Sequence, residues 1–167
     1  LTQENNVENG KVFVKLFYNK NIDIVDANEG ATITGENFNQ KKVEVNAQER
    51  AFINLTTETD YLTVKTSSGG IVKLTGTAKN QEVDVDLYGI YHGFNMKAAQ
   101  KSAVKAGTGA KAEINADKKL KATVSFGGSI FYKGNAEVIK DKKVISEVKY
   151  KKINPIPSTP KHPKELI

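Results

Sequence analysis

Glycine-bearing turns recur through this chain at a nearly fixed interval. Gly10, Gly30, Gly70, Gly89, Gly109 and Gly128 stand 20, 40, 19, 20 and 19 residues apart. The gap of forty skips one coil, KVEVNAQERAFINL, where Glu49 and Arg50 hold the equivalent place. Self-similarity at such a period marks a repeat architecture. A strand-like stretch precedes and follows each turn, as in NIDIVDANEGATITG, YLTVKTSSGGIVKLTG, EVDVDLYGIYHGFNM and LKATVSFGGSIFYKG. The first block, NGKVFVKLFY, shows only the half after the turn.

Within these stretches apolar and polar residues alternate with period two, the pattern of strands with one buried face. Val83, Val85 and Leu87 alternate with Asp84 and Asp86. Leu120, Ala122, Val124 and Phe126 alternate with Lys121, Thr123 and Ser125. No stretch carries a helical stripe, and KAAQKSAVK (residues 97–105) reads as a turn plus a strand start. A β-sandwich or barrel has no reason to space every second turn equally. A solenoid does, because each coil must land on its predecessor about 4.8 Å further along the axis.

The expected fold is therefore all-β: a single-stranded parallel β-helix, or β-solenoid, with about 20 residues per coil. The crossover rule favours right-handed winding. Six or seven coils would make a rod of roughly 30–35 Å. One solenoid domain spans 1–152, with repeat coils over 10–134 and a C-terminal cap over 135–152 that turns at Lys140–Lys143. At the other end KVFVKLFY is expected as a capping strand, since open sheet edges need covering. The tail over 153–167 holds all four prolines and reads as extended. By register, Val85 and Leu87 should lie inside the stack near Val64 and near Val104 or Ala106.

Composition narrows the chemistry. Cysteine is absent, which excludes disulfides, thiolate metal sites and a cysteine nucleophile. Only His92 and His162 are available for a histidine metal site or a serine–histidine triad. No apolar run approaches the roughly 18 residues of a membrane span. The opening LTQENNVENG is polar and lacks the apolar segment of a leader, so an exported form would already have lost one. Residues 1–96 carry nine basic and thirteen acidic side chains, net −4, and residues 97–152 carry fourteen lysines against five acids, net +9. A basic end of this kind can meet an anionic polymer or surface.

Two groups of residues are candidate binding positions. Asp84 and Asp86 form an outward acidic pair at i and i+2, about 7 Å apart by strand geometry. Their register neighbours are expected to be Lys65 and Lys105, so the pair reads chiefly as part of a cross-coil charge ladder. The second group is the turn around Tyr88, Tyr91 and His92, whose aromatic rings could stack on a sugar or anchor a protein. The alternative turns Phe94 and His92 inward and leaves the tyrosines to cover a corner. No residue is assigned a catalytic role, and neither a metal nor a cofactor is expected.

The segments TSSGGIVKLTG, KAGTGAKAEINA and VSFGGSIFYKGNAEV resemble the head GIN domain family of putative auto-transporter adhesins over residues of about 40–150. The run Phe131, Tyr132, Lys133, Gly134, Asn135 is the most specific element. Ala136 stands where that family commonly has Pro, and DLYGIYHGFNM departs from its small Ser/Gly turn. The resemblance implies a β-helix, export from bacteria of the Bacteroidetes type and an adhesive role, and it supplies no catalytic residues. The expected function is a non-enzymatic secreted, periplasmic or cell-surface module whose partner is a surface glycan or protein, with no specific nucleic acid. The alternatives are carbohydrate processing of the pectinase or lyase kind and binding of an anionic polymer.

Overall fold

The structure is a computed structural model, which describes residues 2–142 and 147–151. It contains thirteen strands: β1 (Thr2–Glu8), β2 (Lys11–Phe17), β3 (Ile24–Ala27), β4 (Thr32–Gly35), β5 (Lys42–Ala47), β6 (Phe52–Thr66), β7 (Ile71–Val85), β8 (Ile90–Ala106), β9 (Lys111–Ala116), β10 (Lys119–Val124), β11 (Ser129–Lys133), β12 (Glu137–Lys142) and β13 (Glu147–Tyr150). No helix occurs among the described residues. Strands β3 to β13 form one parallel sheet system wound into about six turns of about 19 residues, a β-solenoid. The step between paired residues varies from 18 (Lys119 to Glu137) to 21 (Val83 to Val104).

Each coil has a first strand, a four-residue turn and a second strand. The core lies between the two strand stacks. Val25, Val45, Val64, Val83, Val104 and Ala122 fall in one register column, and Ile33, Ile53, Val72, Tyr91, Ala112, Ile130 and Val148 in the facing one. All but the N-terminal pair, Val25 and Ile33, are buried. Burying each such aliphatic side chain stabilises by about 1.5–3 kcal/mol, and the gain is shared between neighbouring coils. A small polar network sits inside: the Tyr91 hydroxyl donates to Gln81 Oε1 at 3.4 Å, and Gln81 Nε2 donates to Ser102 Oγ at 2.9 Å.

The turns explain the repeat. Each closes with a backbone hydrogen bond from its fourth residue to its first, as in Gly70 N–H to Ser67 C=O (2.8 Å) and Gly89 N–H to Asp86 C=O (2.8 Å). The two central residues take positive φ at Glu29–Gly30, Glu49–Arg50, Ser68–Gly69, Leu87–Tyr88 and Phe126–Gly127. At Thr108–Gly109 only the glycine does. This conformation sets the central peptide parallel to the solenoid axis. Its N–H then donates to the turn of the next coil: Gly30 to Glu49 C=O, Arg50 to Ser68, Gly69 to Leu87, Tyr88 to Thr108 and Gly109 to Phe126, at 2.9–3.2 Å. The recurring glycines therefore serve two purposes. Gly30 and Gly109 supply positive φ at the third turn position, whereas Gly70 holds the fourth, where a Cβ would overlap the Ala47 carbonyl oxygen of the previous coil.

Four expectations need correction. Gly10 does not belong to the repeat. Asn9 and Gly10 (φ 50 and 74) make the two-residue turn of an ordinary hairpin, and β2 pairs antiparallel with β1 in a sheet of its own. The Asn-Gly dipeptide is the strongest short-range hairpin signal in a sequence. Every residue of β1 and β2 is exposed, so the segment expected as a capping strand makes no ladder with the first coil. Leu87 is not in the core. The strand ends at Val85, fully buried beside Thr66 and Ala106, and Leu87 is a turn residue with 48% exposure. Finally, the segment after Asn135 does not leave the repeat: β12 and β13 continue it in register on β10 and β11. Lys140 and Lys142 lie within β12 rather than in a turn. Residue 143, residue 152 and the proline-rich tail over 153–167 lie outside the described residues.

Candidate functional site

The stacked turns form one edge of the solenoid, and three of their residues are bulky, apolar and exposed. Leu87, Tyr88 and Phe126 are 48%, 69% and 69% exposed, with φ of 44, 63 and 48. Left-handed backbone costs a non-glycine residue about 1–2 kcal/mol, and glycine occupies it freely. Glu29, Glu49, Arg50 and Ser68 share the conformation but keep polar groups in water. Leu87, Tyr88 and Phe126 bear the same strain while leaving about half to two-thirds of their surface unburied.

They make a continuous ridge. Leu87, Thr108 and Phe126 occupy the second turn position of three successive coils, so Leu87 and Phe126 stand about 10 Å apart by coil spacing. The Tyr88 ring fills the gap by lying over Gly109, where an added Cβ would sit 2.6 Å from the ring. Asp86 anchors the ridge from below: its Oδ1 accepts the backbone N–H of Leu87 at 2.8 Å and that of Thr108 at 2.7 Å. Gly107 leaves room for that carboxylate, which a Cβ would strike. Asp86 thus fastens two coils together. Asp84 stays exposed on the first-strand face, in register with Lys65 and Lys105 as its place in the ladder requires. Lys65 pairs with Glu44 at 2.8 Å.

The aromatic group splits in two. Tyr91 is fully buried in the facing core column, so it is not a surface group, and burial pushes its phenol well above the ordinary value. The reason is phase: the turn ends at Gly89, so the second strand begins with Ile90 outward and Tyr91 inward. His92 and Phe94 consequently face outward and are half-buried. His92 Nδ1 bonds Glu113 Oε2 at 2.9 Å, and Lys111 Nζ reaches Glu113 Oε1 at 2.9 Å. Partial burial raises the Glu113 pKa, but the hydrogen bonds from His92 and Lys111 more than offset it, holding the carboxyl below its usual range. Of the five candidate residues, the ridge keeps Tyr88 on its surface and Asp86 beneath it. Leu87 and Phe126 were missed as surface groups. Aligning Asp86–Gly89 and Ser125–Gly128 on Ser67–Gly70 would have put both in the turn.

A parallel β-solenoid with an apolar ridge along its stacked turns defines a class of elongated repeat domain, and the chain falls within one family of it. Residues 1–136 match the model of the family described as "Putative auto-transporter adhesin, head GIN domain", and the chain belongs to that family. No curated protein and no solved structure matches it. The family's name describes a surface-interaction role, and no helix among the described residues is long and apolar enough to cross a membrane.

Proposed function

We propose that this protein is a non-enzymatic exported or cell-envelope module that holds a surface partner, glycan or protein, through the ridge of Leu87, Tyr88 and Phe126. The observation that carries this reading is strain without burial. Three apolar side chains sit where glycine would be more stable, and each projects into solvent. The fold requires this backbone conformation but not a bulky apolar residue in it, and residues held under backbone strain cluster at functional sites. Exposed aromatic groups on a rigid edge are the usual anchors of an interface. Family membership adds an adhesive context. The acidic pair offered as binding candidates has structural roles available to it: Asp86 caps backbone amides, and Asp84 is a rung of the charge ladder.

The test immobilises the protein and challenges it with arrayed surface glycans and extracellular proteins, with the triple variant Leu87→Gly/Tyr88→Gly/Phe126→Gly alongside. Strain relief in the variant is opposed by lost contacts and by the greater freedom of glycine in the unfolded chain, so its stability should stay within about 1–2 kcal/mol of the parent's. It should also lose retention of whatever the parent retains. Retention unchanged in the triple variant, or release of cleaved glycan by the parent, would remove this reading.

A further inference from the structure

The outward face of the second-strand stack carries a different chemistry from the ridge. One register column there reads Lys73, His92, Glu113, Phe131, Lys149. Four coil steps put its ends about 19 Å apart. Beside it β8 bulges: Gly93 pairs with Ile114 but Lys97 pairs with Asn115, so three extra residues are inserted. Of these Met96 turns into the core, while Phe94 stays on the surface with its carbonyl held by Asn115 Nδ2 at 3.2 Å. Bulges re-aim side chains and gather beside functional sites. This one lays a phenyl ring over the following coils.

Lysines surround the two rings. Lys133 Nζ and Lys151 Nζ lie 5.7 and 5.0 Å from the centre of Phe94, and Lys111 Nζ lies 5.5 Å from that of Phe131. The two acids on the face are already matched, Glu113 by His92 and Lys111, and Glu147 by Lys149. Lys73, Lys133 and Lys151 make no ion pair among the described residues. The face thus offers half-exposed aromatic rings, the ammonium groups of Lys133 and Lys151 over Phe94 with no ion-pair partner among the described residues, the similarly unpaired Lys73 in the same column, and the uncharged polar side chains of Thr75 and Asn95.

We propose that this face binds an acidic polysaccharide, with sugar rings stacked on Phe94 and Phe131 and their carboxylate or sulfate groups at Lys73, Lys133 and Lys151. A neutral glycan would leave the lysines unmatched. A nucleic acid would be served better by arginine, whose fork fits phosphate and of which the chain has only Arg50. The column runs along the solenoid axis, which suits an extended polymer lying in that direction. This site is separate from the turn ridge and does not depend on it.

The experiment is affinity electrophoresis of the folded protein through gels containing polygalacturonate, dextran sulfate, neutral dextran or oligo-dT, at low and at high salt. Retardation is expected by at least one of the two acidic polysaccharides, and which one tells carboxylate from sulfate. It should be absent with neutral dextran and weaken as salt rises. Lys133→Gln/Lys151→Gln should lower affinity about tenfold, in line with two lost charge contacts. Phe94→Ala/Phe131→Ala should lower it at both salt concentrations. Thermal melts confirm that the variants are folded, and Lys121→Gln, an exposed lysine of the first-strand stack, should bind as the parent does, so that this face is judged apart from the chain's other positive charges. The proposal fails if neither acidic polysaccharide retards the protein, if the phenylalanine pair makes no difference, or if oligo-dT retards it equally.

Discussion

The turn at Asn9–Gly10 and the turn at Ser68–Gly69 share one backbone conformation, with φ of 50 and 74 in each, yet they organise opposite pairings. Around the first, Glu8 pairs with Lys11 and the two strands run antiparallel against each other. Around the second, the flanking strands separate, and each pairs in parallel with strands about 19 residues away on either side. Local turn geometry therefore does not decide pairing. What differs is the burial available to the flanking residues. Strands β6 and β7 bury alternate side chains along their length, whereas β1 and β2 bury none. An isolated two-stranded hairpin is marginal in water. A coil gains from both neighbours, and its central turn amide gains a hydrogen bond along the axis that the hairpin turn does not make with any described residue.

The largest contrast should come from introducing charge. Val85→Asp buries an unpaired carboxylate between Thr66 and Ala106 and is expected to cost several kcal/mol in urea denaturation. Val14→Asp, on the exposed hairpin, should leave coil stability within about 0.5 kcal/mol of the parent. Leu87→Asp should lie nearer the hairpin change, because the side chain is half exposed in a turn rather than buried in the core. A hairpin variant as damaging as Val85→Asp would mean that the two regions are not energetically distinct.

A smaller contrast lies in two glycines. Gly76 has φ 125, and a Cβ there would overlap the Thr57 carbonyl oxygen of the previous coil. Gly76→Ala is expected to cost about 1–3 kcal/mol of coil stability from backbone strain, with any backbone displacement added to that. Gly10 has φ 74 with open space around it. Gly10→Ala should cost about 1 kcal/mol locally, from the left-handed backbone alone, and leave the main unfolding transition where it was. Equal shifts of that transition would erase the distinction.

The period, the alternation and the parallel register were legible in the sequence because one physical requirement imposes all three: each coil must repeat the inward residues of the last. Asp84 between Lys65 and Lys105, and Val83 between Val64 and Val104, follow directly. Alternation alone cannot show where a strand bends. Leu87 continues the Val83, Val85 pattern into the turn, and bulky residues at positive φ are not what turn propensity anticipates. That one misplaced boundary also hid the inward phase of Tyr91 and the outward phase of His92. Gly10 falls at the repeat interval while doing hairpin work, so spacing counted it where the preceding asparagine should have excluded it. The bulge at Phe94 arises from pairing with β9, a relation that no local pattern in β8 records.

Axial hydrogen bonds between stacked turns tie each coil to the next, and residue-resolved amide hydrogen exchange under native conditions reads them one by one. Gly69 and Tyr88 donate to the turns of the next coil at 3.0 and 2.9 Å, while the Gly10 amide, in an equivalent turn, makes no such bond among the described residues. Gly69 and Tyr88 should therefore exchange more than ~1,000-fold more slowly than Gly10, approaching the rate set by cooperative opening of the coils. If the amides of Gly69 and Tyr88 instead exchange as fast as that of Gly10, the turns are not stacked along an axis, and the solenoid account is wrong.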